Sequence, residues 1–288
     1  MKISSKTKPF AVLGHPIGHS LSPVMHNAAF AALDMNAVYL AFDVHPDRLM
    51  STLPVMADLG FGGINLTVPL KEVAYRGISC LGESAKALGS VNTVKIGSGG
   101  LEGYSTDGEG FLRGIREAFD LSVEGLSIFV LGCGGAGRAV AVASAVAGAD
   151  RLMLTDHDMN RAGKLESEIA GLASKVQAQT VASDLASWTR ASLESDLVVH
   201  ATPVGMRCDE DSLLGADAFR AGQAVYDLIY MFPETALMKV AREAGARVSN
   251  GLDMLLFQGV LSFSIWTGRD APVEKMRQTL EQAVYGKK

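Results

Sequence analysis

The sequence predicts an α/β protein of two domains, and three observations carry that reading. Its 288 residues match about two domains at roughly 150 residues each, ample for buried cores. Short apolar runs alternate with longer Ala-rich stretches of helical spacing, the pattern of βαβ units around a mostly parallel sheet. One such run leads directly into a glycine-rich turn and an Ala/Val stretch, the strand–turn–helix context of a dinucleotide fold.

The elements follow in order. Strands are expected at Phe10–Leu13 and Val38–Val44, and helices at Pro23–Leu33 and Arg48–Leu59. Thr93–Ile96 and Leu101–Tyr104 flank the turn Gly97–Gly103 and read as a hairpin. A helix at Gly108–Phe119 leads into a second series. That series has strands at Ser127–Leu131, Arg151–Thr155, Asp196–Ala201, Ala224–Leu228 and Arg247–Ser249, with helices at Ala136–Ala147 and near Asn160–Leu172. The domain boundary is expected within residues 107–123, and the apolar stretch Gly251–Trp266 is expected to return to the first domain.

Composition narrows the function. Hydrophobic residues are 48% and charged residues 20%, which disfavours a disordered chain. A formal net charge of -5 repels nucleic acid and anionic lipid, so an anionic ligand must be held by local groups. Cys80, Cys133 and Cys208 are scattered and form no CxxC pair, which fits a reducing cytoplasm. The run Phe10–Leu13 is too short for a signal-peptide core, and Ala139–Ala149 is short of the ~20 residues that span a bilayer, so no membrane anchor is expected. His15, His19 and His26 cluster but, apart from the loop pair His15/His19, lack the i, i+4 carboxylate company of a helical zinc site, so no metal is expected. Met231, Met238, Met254, Trp188 and Trp266 read as packing residues.

After Ser127–Leu131 comes Gly132-Cys133-Gly134-Gly135-Ala136-Gly137-Arg138. Glycines there let the backbone approach a pyrophosphate, whose charge meets unpaired N–H groups at the helix start; the bland alternative is an ordinary tight turn. Asp156 closes the next strand, 24 residues past Gly132. At that spacing a carboxylate accepts hydrogen bonds from the adenosine ribose and repels a 2′-phosphate. Asp158 adds to the repulsion and Arg161 offsets part of it, so NAD is favoured, with NADP as the alternative. Asp156 could equally cap the next helix, and Arg138 could face a phosphate or solvent.

Four polar clusters mark the first domain: Ser20 and Ser22 within His19–Pro23, Asn65 to Lys71, Ser90 to Thr93, and Ser105 to Gly108. The two serines read as helix caps or as hydroxyl donors to a ligand. A lysine and an aspartate brought together can share protons in general acid–base work, but nothing in the spacing shows that Lys71 and Asp107 meet.

Six motifs in order, spanning nearly the whole chain, resemble the shikimate dehydrogenase family. They are His15–Asn27 (HPIGHSLSPVMHN), Asn65–Lys71 (NLTVPLK), Ser90–Thr93 (SVNT), Thr106–Gly108 (TDG), Ala201–Met206 (ATPVGM) and Gly251–Gln258 (GLDMLLFQ). The resemblance implies an N-terminal α/β substrate domain, residues 1–107 plus 252–288, and a Rossmann-type dinucleotide-binding domain, residues 108–251, with a cleft between them. It implies Lys71 as acid/base with Asp107 as its partner. Ser20, Ser22, Thr67, Asn92, Gln258 and Tyr230 would hold a polyhydroxy cyclic carboxylate. Gly132, Cys133, Gly134, Gly135, Ala136 and Gly137 would form the phosphate loop, with Glu83, Leu228 and Gly251 also at the cofactor. The implied reaction is reversible NAD(P)-dependent reduction of 3-dehydroshikimate to shikimate in a cytoplasmic enzyme, monomer or homodimer. Asp156-His157-Asp158 stands where NADP-using members usually carry Asn-Arg-Thr, which supports NAD and makes a quinate/shikimate dehydrogenase the second expectation. Cys133, Ser105 and His200 also depart from the usual residues. A catalytically silent dinucleotide-binding regulator is the alternative of another class, and the retained Lys71, Asp107 and hydroxyl set argue against it.

Overall fold

The computed structural model describes residues 3–207 and 209–286, so Cys208 lies outside the described residues. The chain divides into two compact units, one running to Gly110 and resuming at Leu256, the other Phe111–Leu255.

The first unit is built from β1 (Lys8–Gly14), α1 (Ser22–Ala32), β2 (Ala37–Asp43), α2 (Leu49–Asp58), β3 (Gly63–Leu66), α3 (Leu70–Gly77), β4 (Cys80–Leu81), α4 (Glu83–Leu88), β5 (Thr93–Gly97), β6 (Gly100–Tyr104) and the start of α5 (Asp107–Phe119). Its six strands run in the order β2-β1-β3-β5-β6-β4. The sheet is mostly parallel, with the expected hairpin as its antiparallel part. β1 pairs in parallel with β2 and β3, but the β5–β6 hairpin inserts antiparallel against β3. A two-residue-scale hairpin connection can only return the chain antiparallel, whereas βαβ crossovers keep it parallel. Ala11, Leu13, Leu49, Leu53, Ile64, Leu66, Leu70 and Val94 form the core beneath α2 and α3.

The second unit holds β7 (Ser127–Leu131), α6 (Gly135–Val146), β8 (Arg151–Thr155), α7 (Met159–Leu172), β9 (Gln177–Thr180), α8 (Leu185–Leu193), β10 (Leu197–His200), β11 (Ala224–Asp227), α9 (Ala236–Glu243) and β12 (Arg247–Asn250). Its sheet, β12-β11-β10-β7-β8-β9, is parallel at every pairing. Strand order reverses between β7 and β10, the switch point where doubly wound sheets bind ligands beyond the strand ends. β7, β8, β10 and β11 are short apolar runs buried on both faces, as helix-covered parallel strands must be.

α10 (Leu252–Thr267) then carries the chain back, and α11 (Val273–Tyr285) packs on α1. The division between units therefore runs through α5 and α10 themselves. Trp266, near the end of α10, donates from its indole N–H to the Val94 carbonyl (3.0 Å) and lies against Phe10, His26 and Tyr39. Met238 is buried as expected, whereas Met231 is 39% exposed and fills no core. No helix among the described residues is long and apolar enough to cross a membrane, and no three metal-ligating side chains gather there.

Candidate active site and dinucleotide loop

In the first unit the polar clusters sit where apolar strands end. β3 is fully buried, and the chain leaves it through Thr67 into α3, whose second residue is Lys71. Asp107 opens α5 directly after β6. Lys71 Nζ donates to Asp107 Oδ2 at 2.6 Å, with side-chain exposures of only 24% and 9%. Such a charge-assisted bond is short because both partners are ionised. Asn92, 2% exposed, donates from Nδ2 to the other carboxylate oxygen, Oδ1, at 2.9 Å, and lies 3.4 Å from Gln258 Oε1 on α10. Four residues far apart in sequence thus share one hydrogen-bonded cluster, with the ammonium partly open to solvent.

The loops after β1 and β3 are joined by backbone bonds, Thr67 N–H to Leu13 O (2.9 Å) and His15 N–H to Val68 O (3.2 Å). A Cβ on Gly14 would stand 2.5 Å from Thr67 Cγ2, so only glycine lets these loops close together. Ser20 and Ser22 lie on the β1 side of that junction. The cap expectation is corrected for both: Leu21 holds the cap position of α1 without a side-chain bond, and Ser22 is its first residue. Ser20 Oγ accepts a 3.3 Å bond from Ser22 N–H, and Ser22 hydrogen-bonds Tyr39. Glu83 opens α4 in the same unit, 91% exposed, and pairs with Lys86 at 2.7 Å.

In the second unit the glycine loop joins β7 to α6. Gly132 has φ +105, and a Cβ on it would stand 2.8 Å from Ala201 at the end of β10. A Cβ on Gly137 would collide with the Gly132 carbonyl oxygen. Gly134, at the cap of α6, supplies no side-chain cap bond, and open space faces both it and Gly135. Backbone donors at a helix start with room beyond them fit a pyrophosphate. Arg138 ion-pairs with Glu168 on α7, its Nε 3.0 Å from Oε2.

Asp156 follows β8 and is 6% exposed. Its Oδ2 accepts the Cys133 N–H (2.8 Å) and its Oδ1 accepts the Asp158 N–H (2.9 Å), so it ties the glycine loop to the next turn. Asp158 supplies the cap of α7 instead. His157 (2.9 Å) and Arg161 (3.7 Å) flank the carboxylate. Burial, then the Asp156 charge, pushes the Cys133 thiol up to about 12, with Arg161 opposing. On the β11–β12 side, a Cβ on Gly251 would collide with the Leu228 carbonyl, and Gly251 N–H donates to Ile229 O at 3.3 Å. Burial raises the phenol pKa of Tyr230.

Two buried networks extend past the polar clusters read from sequence. His200 Nδ1 lies 2.9 Å from Asp227 Oδ1 and its Nε2 2.6 Å from Thr202 Oγ1, while Thr235 donates to Asp227 Oδ2 (2.6 Å). This holds the loop after β10, which abuts Gly132. The second network, behind Asn92, joins Tyr39, Asn65, Thr93, Thr106 and Ser262. Asn65, Thr93 and Thr106 stood in the polar clusters read from sequence, whereas Tyr39 and Ser262 carried no signal beyond a polar residue in an apolar run.

Known proteins match this chain over nearly its whole length. Residues 12–94 match the shikimate dehydrogenase substrate binding domain, and residues 251–281 the shikimate 5'-dehydrogenase C-terminal domain. Relatives named shikimate dehydrogenase (NADP(+)) include one from Methanopyrus kandleri, 42% identical over 97% of both chains. Another, from Moorella thermoacetica, is 44% identical over 99% of this chain and 96% of its own. The crystal structure of a Listeria monocytogenes shikimate 5-dehydrogenase with shikimate and NAD superposes at a TM-score of 0.90, with 32% identity over 97% of this chain and 98% of that one. Given identities above 40% across almost the full length, on a parallel-sheet unit with a glycine loop and a unit holding a Lys–Asp pair, this chain belongs to the shikimate dehydrogenase family.

Proposed function

We propose that this chain is an oxidoreductase that interconverts 3-dehydroshikimate and shikimate with a nicotinamide dinucleotide. The observation that carries the reading is the 2.6 Å Lys71–Asp107 pair, with Asn92 bonded to the other carboxylate oxygen and the ammonium partly open to solvent. The glycine loop, with its open α6 N-terminus, fits the dinucleotide pyrophosphate, and Leu228 and Gly251 would line its nicotinamide end. When bound, the dinucleotide supplies or accepts the hydride. Lys71 Nζ donates a proton to the substrate's ring oxygen in the reducing direction and takes it back in the oxidising one, with its charge stabilising the developing alkoxide. Asp107 Oδ2 orients that ammonium and balances its charge. Ser20 and Ser22 hold the carboxylate; Thr67, Asn92 and Gln258 hold ring hydroxyls, and Tyr230 contributes from the second unit.

For the cofactor we infer a preference for NAD. Asp156 is a buried carboxylate fixed at the end of β8, where a 2′-phosphate would meet its charge and that of Asp158, with exposed Arg161 giving partial relief. The named relatives carry NADP(+) in their names, so this preference is the part of the reading most exposed to test.

Initial rates in a grid of shikimate or quinate with NAD or NADP test both statements. Turnover of shikimate, fastest with NAD, is expected. Faster NADP turnover would remove the role given to Asp156, dominant quinate oxidation would move the chain to the quinate-using branch, and four blank rates would leave a silent dinucleotide binder. Lys71→Ala should lower kcat by about two to four orders of magnitude, the range for removing a positioned acid/base; an unchanged kcat removes Lys71 from the mechanism.

A further inference from the structure

Behind the Lys71–Asp107 pair lies a run of polar side chains where apolar packing would suffice. Tyr39, Asn65, Asn92, Thr93, Thr106 and Ser262 are each 5% exposed or less. Buried polar groups cost stability unless every donor and acceptor is matched, so a network this size is tightly specified.

Its direction can be worked out from groups that cannot reverse. Asn92 Oδ1 accepts the backbone N–H of Thr106 at 2.8 Å, which forces Nδ2 toward Asp107 Oδ1. Asn65 Nδ2 donates to the backbone carbonyl of Asn92 at 3.0 Å, which forces Asn65 Oδ1 toward the Tyr39 hydroxyl, 2.6 Å away. Tyr39 must therefore donate. The remaining Asn65 N–H is shared between Thr93 Oγ1 (3.2 Å) and Ser262 Oγ (3.0 Å). Ser262, on α10, also lies 2.7 Å from Thr93 Oγ1 and 3.3 Å from Thr106 Oγ1, and it donates to the Gln258 carbonyl at 2.9 Å. Asn65 thus holds the Asn92 carbonyl and Ser262 lies against the Thr106 hydroxyl, while Tyr39 fixes Asn65 from behind.

The geometry points to Tyr39, Asn65 and Ser262 as positioning residues that act through Asn92 and Thr106 to fix the Asp107 carboxylate, and with it the Lys71 ammonium. This rests on the acid–base reading of that pair. A proton donor displaced by a fraction of an ångström loses rate while Ser20 and Thr67, which make no bond to Ser262, stay in place, so the larger effect belongs in kcat.

The test is steady-state kinetics on the full chain with shikimate and NADP, repeated with NAD, for Ser262→Ala, Tyr39→Phe, Lys71→Ala and the double variant Ser262→Ala/Lys71→Ala. Ser262→Ala is expected to lower kcat about five- to fiftyfold with the KM for shikimate within about threefold. The double variant should be no slower than Lys71→Ala by more than about twofold, because the network then has no acid/base left to position. Tyr39→Phe keeps the ring stacked on His26 and removes a hydroxyl that both donates to Asn65 and meets Ser22, so it is read in kcat alone should Ser262→Ala fail to fold. Ser262→Ala and Tyr39→Phe both within twofold of the parent, beside a crippled Lys71→Ala, would overturn the positioning role alone. A full additional loss in the double variant would also overturn it. An undiminished Lys71→Ala would overturn the acid–base reading and this inference with it.

Discussion

His26 on α1 is buried, and neither ring nitrogen has a hydrogen-bond partner. It stacks on Tyr39 with centroids 4.5 Å apart and planes 17° from parallel, serving as an aromatic surface beneath the positioning network. Burial pushes its pKa from 6.5 down to about 3, so it stays neutral in the folded chain. The unfolded chain takes up a proton below pH 6.5 and the folded one does not until near pH 3. Stability from this residue is therefore complete above pH 6.5 and is lost as pH falls toward 3. From pH 8 to pH 5 the loss should be about 2 kcal/mol. Urea melts of the parent and His26→Phe at both pH values test it: the parent should lose about 2 kcal/mol more than the variant. Equal losses would mean that the imidazole is hydrated or paired in solution. Cys133 is the opposite case, an acid held neutral, since a thiol pushed up to about 12 is not an accessible thiolate at pH 7.

Among elements, the returning helix α10 shows how closely sheet and helix meet. A Cβ on Gly63, in β3, would overlap the Trp266 indole, whereas one on Gly97 at the hairpin tip meets nothing within 4 Å. Gly63→Ala should cost about 1–3 kcal/mol through overpacking, and Gly97→Ala close to nothing. Thermal or urea melts of the two variants compare them directly, and equal midpoints would show that Trp266 can give way. The same contrast explains what the sequence made legible. Ser127–Leu131 and Arg151–Thr155 match β7 and β8 residue for residue, because strands buried on both faces are uninterrupted apolar runs. β9 went unread because Gln177–Thr180 is a polar edge strand, and β4 because two residues carry no periodicity. The mixed first sheet depends on which strand the hairpin pairs with, a long-range choice that local pattern does not encode. Motifs brought Lys71, Asp107 and Asn92 to attention one by one. Asn65 bonding Ser262 across 197 positions left no local trace as a positioning contact.

Across the whole molecule, the proposed ligand groups divide by compact unit, with Tyr230 and Glu83 the exceptions. Ser20, Ser22, Thr67, Lys71, Asn92, Asp107 and Gln258 belong to the first, whereas the glycine loop, Asp156, Arg161, Leu228 and Gly251 belong to the second. A chain of net charge -5 has no general attraction for an anionic substrate or a dinucleotide, so each must be held by local donors, and most of those proposed for each lie in one unit. Damage to one set should then leave binding at the other intact. Gly137→Ala is the sharpest lesion available, because its methyl would collide with the Gly132 carbonyl and force the loop apart while touching nothing in the first unit's core. Calorimetric titration of that variant should show NAD and NADP each weakened by at least about tenfold, some 1.4 kcal/mol, with shikimate affinity measured alone within about twofold of the parent. Retained dinucleotide affinity would mean that the loop accommodates the methyl. A parallel fall in shikimate affinity, with the circular dichroism unchanged, would mean that groups of the second unit hold the substrate as strongly as the hydroxyls of the first, and the weight given to Ser20, Ser22 and Thr67 would shift toward Tyr230.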